Sequence, residues 1–160
     1  MGHDQVNDGR KNMIGPFRDR WRFLSNFWYA EVEYEGITYP SVEHAYQAAK
    51  TLDKEWREII RRASKPGDAK RLGKALKENG LIRQDWQQVS LKIMTELVAR
   101  KFIKHRELGM VLKGTGNEEI VEINNWHDNF YGSCTCARCA KEVKHNHLGR
   151  ILMEVRKSLQ

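Results

Sequence analysis

Apolar residues recur at helical spacing along most of the chain and alternate with polar ones only in short stretches. The longest periodic segment runs from Asp85 to about His105, and Val89, Ile93 and Leu97 lead its broad apolar face. Steps of three and four residues bring such side chains to one side of a helix. The pattern therefore predicts a long central core helix over this segment.

Four further segments have the same period. The turn signal at 64–67, which contains Pro66 and Gly67, separates the first two of them, and Asp68 is a suitable cap for the second. Asn79 and Gly80 then supply a stop signal. The predicted helices cover about 56–63, 68–78, 108–112 and 148–159.

Strand signals are short and concentrated near the start of the chain. Residues 21–24 and 28–34 are aromatic and partly alternating, and Glu35-Gly36 followed by 37–39 predicts a hairpin. A later strand is predicted over 120–123. Residues 1–13 are polar and without periodicity, so we expect a flexible arm there and one domain over 14–160. Several helices with a few short strands predict an α+β, α-rich fold.

A compact helix signal begins at Ser41, directly after Pro40. The Ser41 hydroxyl can cap the first turn, and an acid at position 43 suits the positive end of the helix dipole. Helical spacing puts the small residues at 42, 45 and 49 on one face and places four polar residues together on another. That polar face is either solvated or directed at a ligand. Its members are Glu43, Tyr46, Gln47 and Lys50.

Charge, apolar run length and cysteine content limit the kinds of partner and compartment to be expected. The chain has 160 residues with 28 Lys and Arg against 21 Asp and Glu, a net charge of +7 that favours an anionic partner. No apolar run approaches the ~20 residues that a membrane span needs. Three cysteines crowded between positions 134 and 139 are typical of a reducing compartment rather than of a secreted disulfide framework. We expect a soluble cytoplasmic protein that does not bind a membrane.

Three stretches resemble the YbiA-like NADAR family, in that family's order along the chain from about Phe17 to Leu159. They are Phe23-Leu24-Ser25-Asn26-Phe27, Ser41-Val42-Glu43-His44-Ala45-Tyr46-Gln47-Ala48-Ala49-Lys50, and Asn146-His147-Leu148-Gly149-Arg150-Ile151-Leu152-Met153-Glu154-Val155-Arg156. The resemblance implies a single YbiA-like domain that hydrolyses an N-glycosidic bond to ribose and needs no organic cofactor. The implied substrates are riboflavin-pathway ribosylaminopyrimidine phosphates or ADP-ribosylated guanine, and the latter could be carried on nucleic acid.

The same resemblance implies two catalytic acids, because cleavage requires water delivery, stabilisation of an oxocarbenium-like C1 and protonation of the leaving base. Glu43 matches the motif glutamate, although a first-turn acid can serve the helix dipole alone. Asp128 matches the family's loop aspartate, although Asp is also common in an Asx turn. Lys50 and Lys101 match family lysines, and one of them could bind phosphate as a point charge or attack a ring-opened C1 aldehyde as a Schiff-base nucleophile. We place Lys50 among the catalytic residues and Lys101 among those that bind substrate. A solvated lysine is the alternative for both.

The remaining matches imply substrate contacts through sugar hydroxyls, stacking or close backbone approach. Trp86 also continues an apolar stripe, so a core position is its alternative, and Gly149 could simply permit close packing. Well-known family members carry Trp where this chain has Tyr131, which leaves the preferred substrate open. The implied substrate-binding residues are Ser25, Asn26, Phe27, Tyr46, Trp86, Lys101, Tyr131, Gly132, Asn146 and Gly149.

Two questions stay open at this level. The C-x-C-x-x-C sequence at 134–139, with His127, His145 and His147 nearby, admits a structural zinc site or reduced thiols. Shorter family members lack this insert, and we predict no metal among the site residues. The alternative function is a non-catalytic module that binds ADP-ribose or NAD. A general nucleic-acid binder ranks lower, because the sequence has no helix-turn-helix, paired zinc knuckles or RRM signature. The sequence does not predict an oligomeric state.

Overall fold

The computed structural model describes residues 12–159, which form one α-rich α+β domain. Two short 3-10 helices, Asp19–Leu24 and Ala137–Cys139, accompany the α-helices of this region. The α-helices are α1 Val42–Ala49, α2 Lys54–Arg61, α3 Pro66–Glu78, α4 Trp86–Lys104, α5 Arg106–Gly114 and α6 His147–Ser158.

The strands form three separate pairs rather than one sheet. They are β1 Met13–Ile14, β2 Val32–Tyr34, β3 Ile37–Tyr39, β4 Glu119–Ile120, β5 Ile123–Asn124 and β6 Ser133–Cys134. The β2–β3 pair is antiparallel, whereas β1–β4 and β5–β6 are parallel. Since parallel partners cannot be joined by a tight turn, these two pairs fasten segments that are distant in sequence.

Helix α4 occupies the centre of the domain and contacts α1, α5, α6 and β2. Its Leu97, Val98 and Phe102 side chains are buried in the main hydrophobic core. Helix α1 is buried over its whole length, between α2, α3 and α4. This burial fixes the positions of Glu43, Tyr46 and Gln47 on the polar face, whereas Lys50 follows the helix as its C-cap.

The cap predicted at Ser41 and the turn predicted at Glu35-Gly36 are confirmed. The Ser41 hydroxyl accepts a hydrogen bond from the His44 amide at 3.2 Å, as expected for the cap of α1. The Glu35-Gly36 turn joins β2 to β3, with Gly36 at φ +81°. The central helix and the closing helix also follow their apolar patterns.

Four predicted elements differ from the structure. The strand predicted over 28–34 is confined to β2, Val32–Tyr34. The aromatic stretch at 21–24 lies in a 3-10 helix instead of a strand, because the Trp21 amide bonds back to the Arg18 carbonyl at 3.0 Å. Helix α3 begins at Pro66 rather than after Asp68, since proline suits the first helical position. The predicted strand over 120–123 is divided into β4 and β5, because the Glu122 amide donates to Asn146 Oδ1 instead of to a strand.

The predicted arm, residues 1–13, lies almost entirely outside the described residues. Met13, its last member, pairs in β1, and Ile14 is buried in the core. Within 12–159, no helix is both long enough and apolar enough to cross a lipid bilayer.

Candidate active site

A cavity of about 800 Å³ opens beside the buried helix α1. Four parts of the chain supply most of its lining: the loop and 3-10 helix at 16–28, the start of α1, the start of α3, and the irregular segment 122–135. Glu43 and Asp128, the two acids predicted to be catalytic, both line this cavity. They come from segments that are 85 positions apart, so the fold brings together what the sequence separates.

Glu43 is held in place by the start of α1. Its amide donates to the Asn26 carbonyl at 3.1 Å, and its Oε1 accepts a hydrogen bond from Gln47 Nε2 at 2.8 Å. The side chain is only 7% exposed. Burial raises the pKa of the Glu43 carboxyl above its ordinary value, and the hydrogen bond from Gln47 only partly opposes this effect. The carboxyl is therefore suited to exchanging a proton closer to neutral pH.

Asp128 is oriented by its own loop. One carboxylate oxygen, Oδ1, accepts hydrogen bonds from the amides of Phe130 at 3.0 Å and Tyr131 at 2.9 Å. The buried Asn124 side chain also bonds to the Asp128 backbone, donating to its carbonyl at 2.8 Å. This is the Asx turn that the sequence allowed as an alternative, and it also holds the carboxylate rigidly at the cavity wall.

A third acid, Glu122, lies in the same cavity and was not predicted from the sequence. Its carboxylate accepts a hydrogen bond from Asn124 Nδ2 at 3.2 Å. Burial in the first place, and the negative charge of Asp128 in the second, raise the pKa of Glu122 to about 7. Only its position as an acid within the apolar run 120–123 could have drawn attention to it.

Two tyrosines form one wall of the cavity. The hydroxyls of Tyr46 and Tyr131 are 2.7 Å apart, and their rings meet edge to face with centroids 5.7 Å apart. Burial raises the pKa of Tyr46, and raises that of Tyr131 to about 12, so both stay neutral near pH 7. Trp86 is not part of the cavity lining, and its ring packs against Tyr46 with centroids 5.1 Å apart.

The predicted loop residues Ser25, Asn26 and Phe27 all line the cavity. Lys101 lies behind them, 1% exposed, and its ammonium donates to the carbonyls of Phe23 at 2.6 Å and Ser25 at 2.9 Å. Burial lowers the pKa of Lys101 to about 7. In this arrangement Lys101 supports the loop, while its predicted contact with substrate remains a prediction.

Four more of the predicted residues lie outside the cavity lining. Lys50 is the C-cap of α1, where burial lowers the pKa of its ammonium, and its Nζ lies 5.7 Å from the Tyr46 ring centroid. Asn146 Nδ2 donates to the β4 carbonyl of Ile120 at 2.9 Å. Gly149 packs so closely here that an added Cβ would lie 2.2 Å from that carbonyl oxygen.

Gly132 is the fourth of these residues, and it has a direct relation to the site. An added Cβ would lie 1.8 Å from a carboxylate oxygen of Glu122 and 2.4 Å from the Glu122 carbonyl oxygen. A side chain at position 132 would thus displace Glu122, because the backbone there cannot move out of the way. Gly132 and Asn146 fix the third acid from two sides.

Cations and aromatic rings that were not predicted complete the lining. Arg18, Arg22 and Lys70 are exposed at the cavity, as are the indole rings of Trp28 and Trp126. Flexible, charged side chains of this kind bind phosphate well, and exposed indoles offer stacking surfaces. The net positive charge indicated an anionic ligand but could not locate these residues, because they come from three separate segments.

Comparisons with known proteins agree with the fold. Residues 14–160 match the family model of the NADAR domain. The chain is 33% identical over 145 residues to N-glycosidase YbiA of Escherichia coli strain K12, and the alignment covers 88% of this chain and 83% of that protein. The NMR structure of Escherichia coli YbiA superposes with a TM-score of 0.77 at 32% identity, covering 92% of this chain and 83% of the other.

Two further relatives carry related names. An N-glycosidase of Nostoc punctiforme is 35% identical over 140 residues, covering 86% of this chain and 85% of that protein. A riboflavin biosynthesis protein of Vibrio vulnificus is 34% identical over 138 residues, covering 86% of this chain but only 35% of that longer protein.

Proposed function

The chain belongs to the NADAR family, and from this premise we propose that it is an N-glycosidase that hydrolyses the bond between ribose and base in a phosphorylated ribose conjugate. One observation carries the proposal: Glu43, Glu122 and Asp128 line a single cavity that also has cations and exposed indoles in its lining. A site that only binds an anion gains little from three acids, because each adds repulsion.

The three acids divide the chemistry according to their surroundings. Asp128, whose orientation is fixed by two amides, stabilises the positive charge that develops at C1. Glu43, buried against Gln47, takes a proton from the attacking water. Glu122, with its pKa raised to about 7, is the acid that protonates the departing base. The separation of roles follows from differences in burial and hydrogen bonding among neighbouring carboxyls.

The rest of the lining suits a phosphorylated nucleoside-like ligand. Arg18, Arg22 and Lys70 can neutralise phosphate, and they line the same cavity as the acids. Trp28 and Trp126, 37% and 55% exposed, offer stacking surfaces for the base. The candidate substrates are a ribosylaminopyrimidine phosphate and ADP-ribosylated guanine, free or carried on nucleic acid.

The direct test is a product screen. The protein is incubated with ADP-ribosylated guanosine and with a ribosylaminopyrimidine phosphate, and released base is measured by chromatography. We expect free base from at least one compound. If calorimetry detects ADP-ribose or NAD binding while neither compound is cleaved, the protein is a binding module instead. If borohydride traps a sugar on Lys50 or Lys101, the reaction proceeds through a Schiff base on that lysine rather than by direct attack of water.

The role of Glu43 is tested by Glu43→Gln. Loss of general-base catalysis is expected to lower kcat by roughly 10²- to 10⁴-fold, while the affinity for ADP-ribose stays nearly unchanged. Glu55→Gln is the matched control, since Glu55 is an exposed acid at the same first-turn position of α2. Unchanged turnover in Glu43→Gln, or an equal loss in the control, would remove Glu43 from the catalytic role.

A further inference from the structure

A second cluster of chemically reactive side chains lies next to the candidate active site, on the segment that carries Asp128. It consists of His127, Cys134, Cys136 and Cys139, and its three sulfur atoms and one imidazole nitrogen all lie within 4.8 Å of one another. Cys134 and Cys139 are buried, Cys136 is partly exposed, and all three are free thiols. We refer to these four residues as the CCCH cluster.

The spacing of the CCCH cluster fits a tetrahedral metal site. His127 Nδ1 lies 3.3 Å from Cys136 Sγ and 3.4 Å from Cys139 Sγ, and the sulfurs of Cys134 and Cys136 are 3.3 Å apart. Zinc bonds of about 2.3 Å to sulfur and about 2.0 Å to nitrogen place a tetrahedral sulfur–nitrogen pair roughly 3.5 Å apart and a sulfur–sulfur pair roughly 3.8 Å apart. A disulfide would join only two of the sulfurs and would not account for the third sulfur and the imidazole nitrogen at the same point.

The surroundings also suit a metal with thiolate ligands. Lys144 Nζ donates to the carbonyls of Cys134 at 2.7 Å and Cys139 at 2.9 Å, which brings one positive charge beside the cluster. Three thiolates and one zinc ion carry a net charge of −1, so this ammonium balances the site. Asn129 Oδ1 accepts from the Cys134 amide at 2.9 Å and further fixes the ligand backbone. Outer partners of this kind orient metal ligands.

We propose that the CCCH cluster binds one structural zinc ion, which cross-links the two arms of the 124–139 segment. This convergence of four ligand atoms favours the zinc alternative over the metal-free site that we predicted from the sequence. Four protein ligands fill a tetrahedral zinc site and leave no position for water, so the ion holds structure rather than performing chemistry. His127 belongs to the arm with Asp128 and Trp126, whereas the cysteines belong to the returning arm. The ion thereby fixes the wall of the cavity that carries Asp128. Zinc binding itself does not depend on the proposed function; only the benefit of this fixed wall for catalysis rests on it.

Metal content of the unmodified chain is the first measurement. Protein without a histidine tag is produced in zinc-supplemented medium, purified without chelator and analysed by mass spectrometry, and we expect one zinc per chain. The metal-free protein should bind cobalt(II), with the sulfur-to-cobalt charge-transfer band and the visible d–d bands of a tetrahedral thiolate site. Added zinc should then displace the cobalt and remove both sets of bands.

Variants test the ligand assignment. Cys136→Ser should weaken zinc binding by more than about 100-fold, the upper limit for loss of a mere outer-shell partner. Cys136→His should retain zinc, because two cysteines and two histidines also form a tetrahedral site. His145→Ala is the matched control and should keep full zinc content, since this exposed ring stacks on His147 outside the cluster.

Hydrogen exchange supplies a readout that does not depend on enzymatic activity. Removing zinc from the wild-type protein should speed exchange of amides in 124–139 while those in α4 stay protected. Absence of stoichiometric zinc together with absence of the cobalt charge-transfer band would overturn the proposal. Equal zinc affinity in Cys136→Ser and the wild type would also overturn it, as would an equal loss in His145→Ala.

Discussion

Replacing Glu122 by Gln gives a sharp test of the electrostatics in the cavity. The pKa of Glu122 is about 7 in the folded protein, whereas the ordinary pKa of a glutamate is 4.5. Between these values the unfolded chain releases the proton first, so the free energy of unfolding falls as pH rises and becomes level above pH 7. This difference between the pKa of the folded and the unfolded state corresponds to a loss of about 3 kcal/mol in the free energy of unfolding.

The variant lacks this loss because an amide does not ionise. The stability difference between Glu122→Gln and the wild type should be near zero at about pH 4.5 and should approach ~3 kcal/mol in favour of the variant at about pH 8. Glu43, Asp128 and Lys70 also act on Glu122. They are present in both proteins, so their own titration largely cancels in the comparison.

Urea unfolding followed by tryptophan fluorescence measures the effect at both pH values. Glu119→Gln is the control, because Glu119 is an exposed acid in the neighbouring strand β4 and should give the same small difference at either pH. The amide at position 122 can still accept the hydrogen bond from Asn124, so the local fold is preserved. A stability difference that does not grow between the two pH values would refute the assignment of a raised pKa to Glu122.

Two further predictions address packing and charge. Gly149→Ala should lower the free energy of unfolding by roughly 1–3 kcal/mol, because its Cβ would meet a β4 carbonyl; Gly114→Ala, in an open position of α5, should instead raise it by up to about 1 kcal/mol. Equal effects in urea unfolding would contradict this account. If the proposed phosphorylated substrate binds here, combined Arg18→Gln and Arg22→Gln should raise its KM roughly tenfold or more with kcat unchanged, since each arginine can supply a charge-assisted bond to phosphate. Arg20→Gln is the control and should leave KM unchanged, because the Arg20 guanidinium lies over the Trp21 ring. A loss confined to kcat in the double variant would argue against phosphate binding.

Local chemistry allowed much of the fold to be predicted. The cap at Ser41 and the turn at Glu35-Gly36 depend on neighbours within a few residues, so a short stretch of sequence contains all the information they require. The aromatic density at 21–24 resembled a strand because aromatic residues favour strands. Its backbone hydrogen bonds proved to be local and helical, which the side chains alone do not reveal.

Parts of the site depend on contacts that are remote in sequence and could not be predicted. Lys101 lies on an amphipathic helix, and the carbonyls that receive its hydrogen bonds are 76 and 78 positions away. Glu122 is placed by Asn146, 24 positions later, and by the absence of a side chain at Gly132. Family resemblance drew attention to Asn146 and Gly132, while the acid that they position stood in a stretch interpreted as an ordinary strand.

The complete burial of α1 has a consequence for attempts to engineer this protein. Glu43 shares its helix with seven other residues that are packed on every side, so nearly any alteration between 42 and 49 disturbs the whole interior. Exposed lining residues outside the helix, such as Arg18, Trp28 and Trp126, contribute far less to the interior and tolerate replacement more readily. Libraries aimed at accepting a different base should therefore randomise these exposed positions and leave the helix and the three acids untouched.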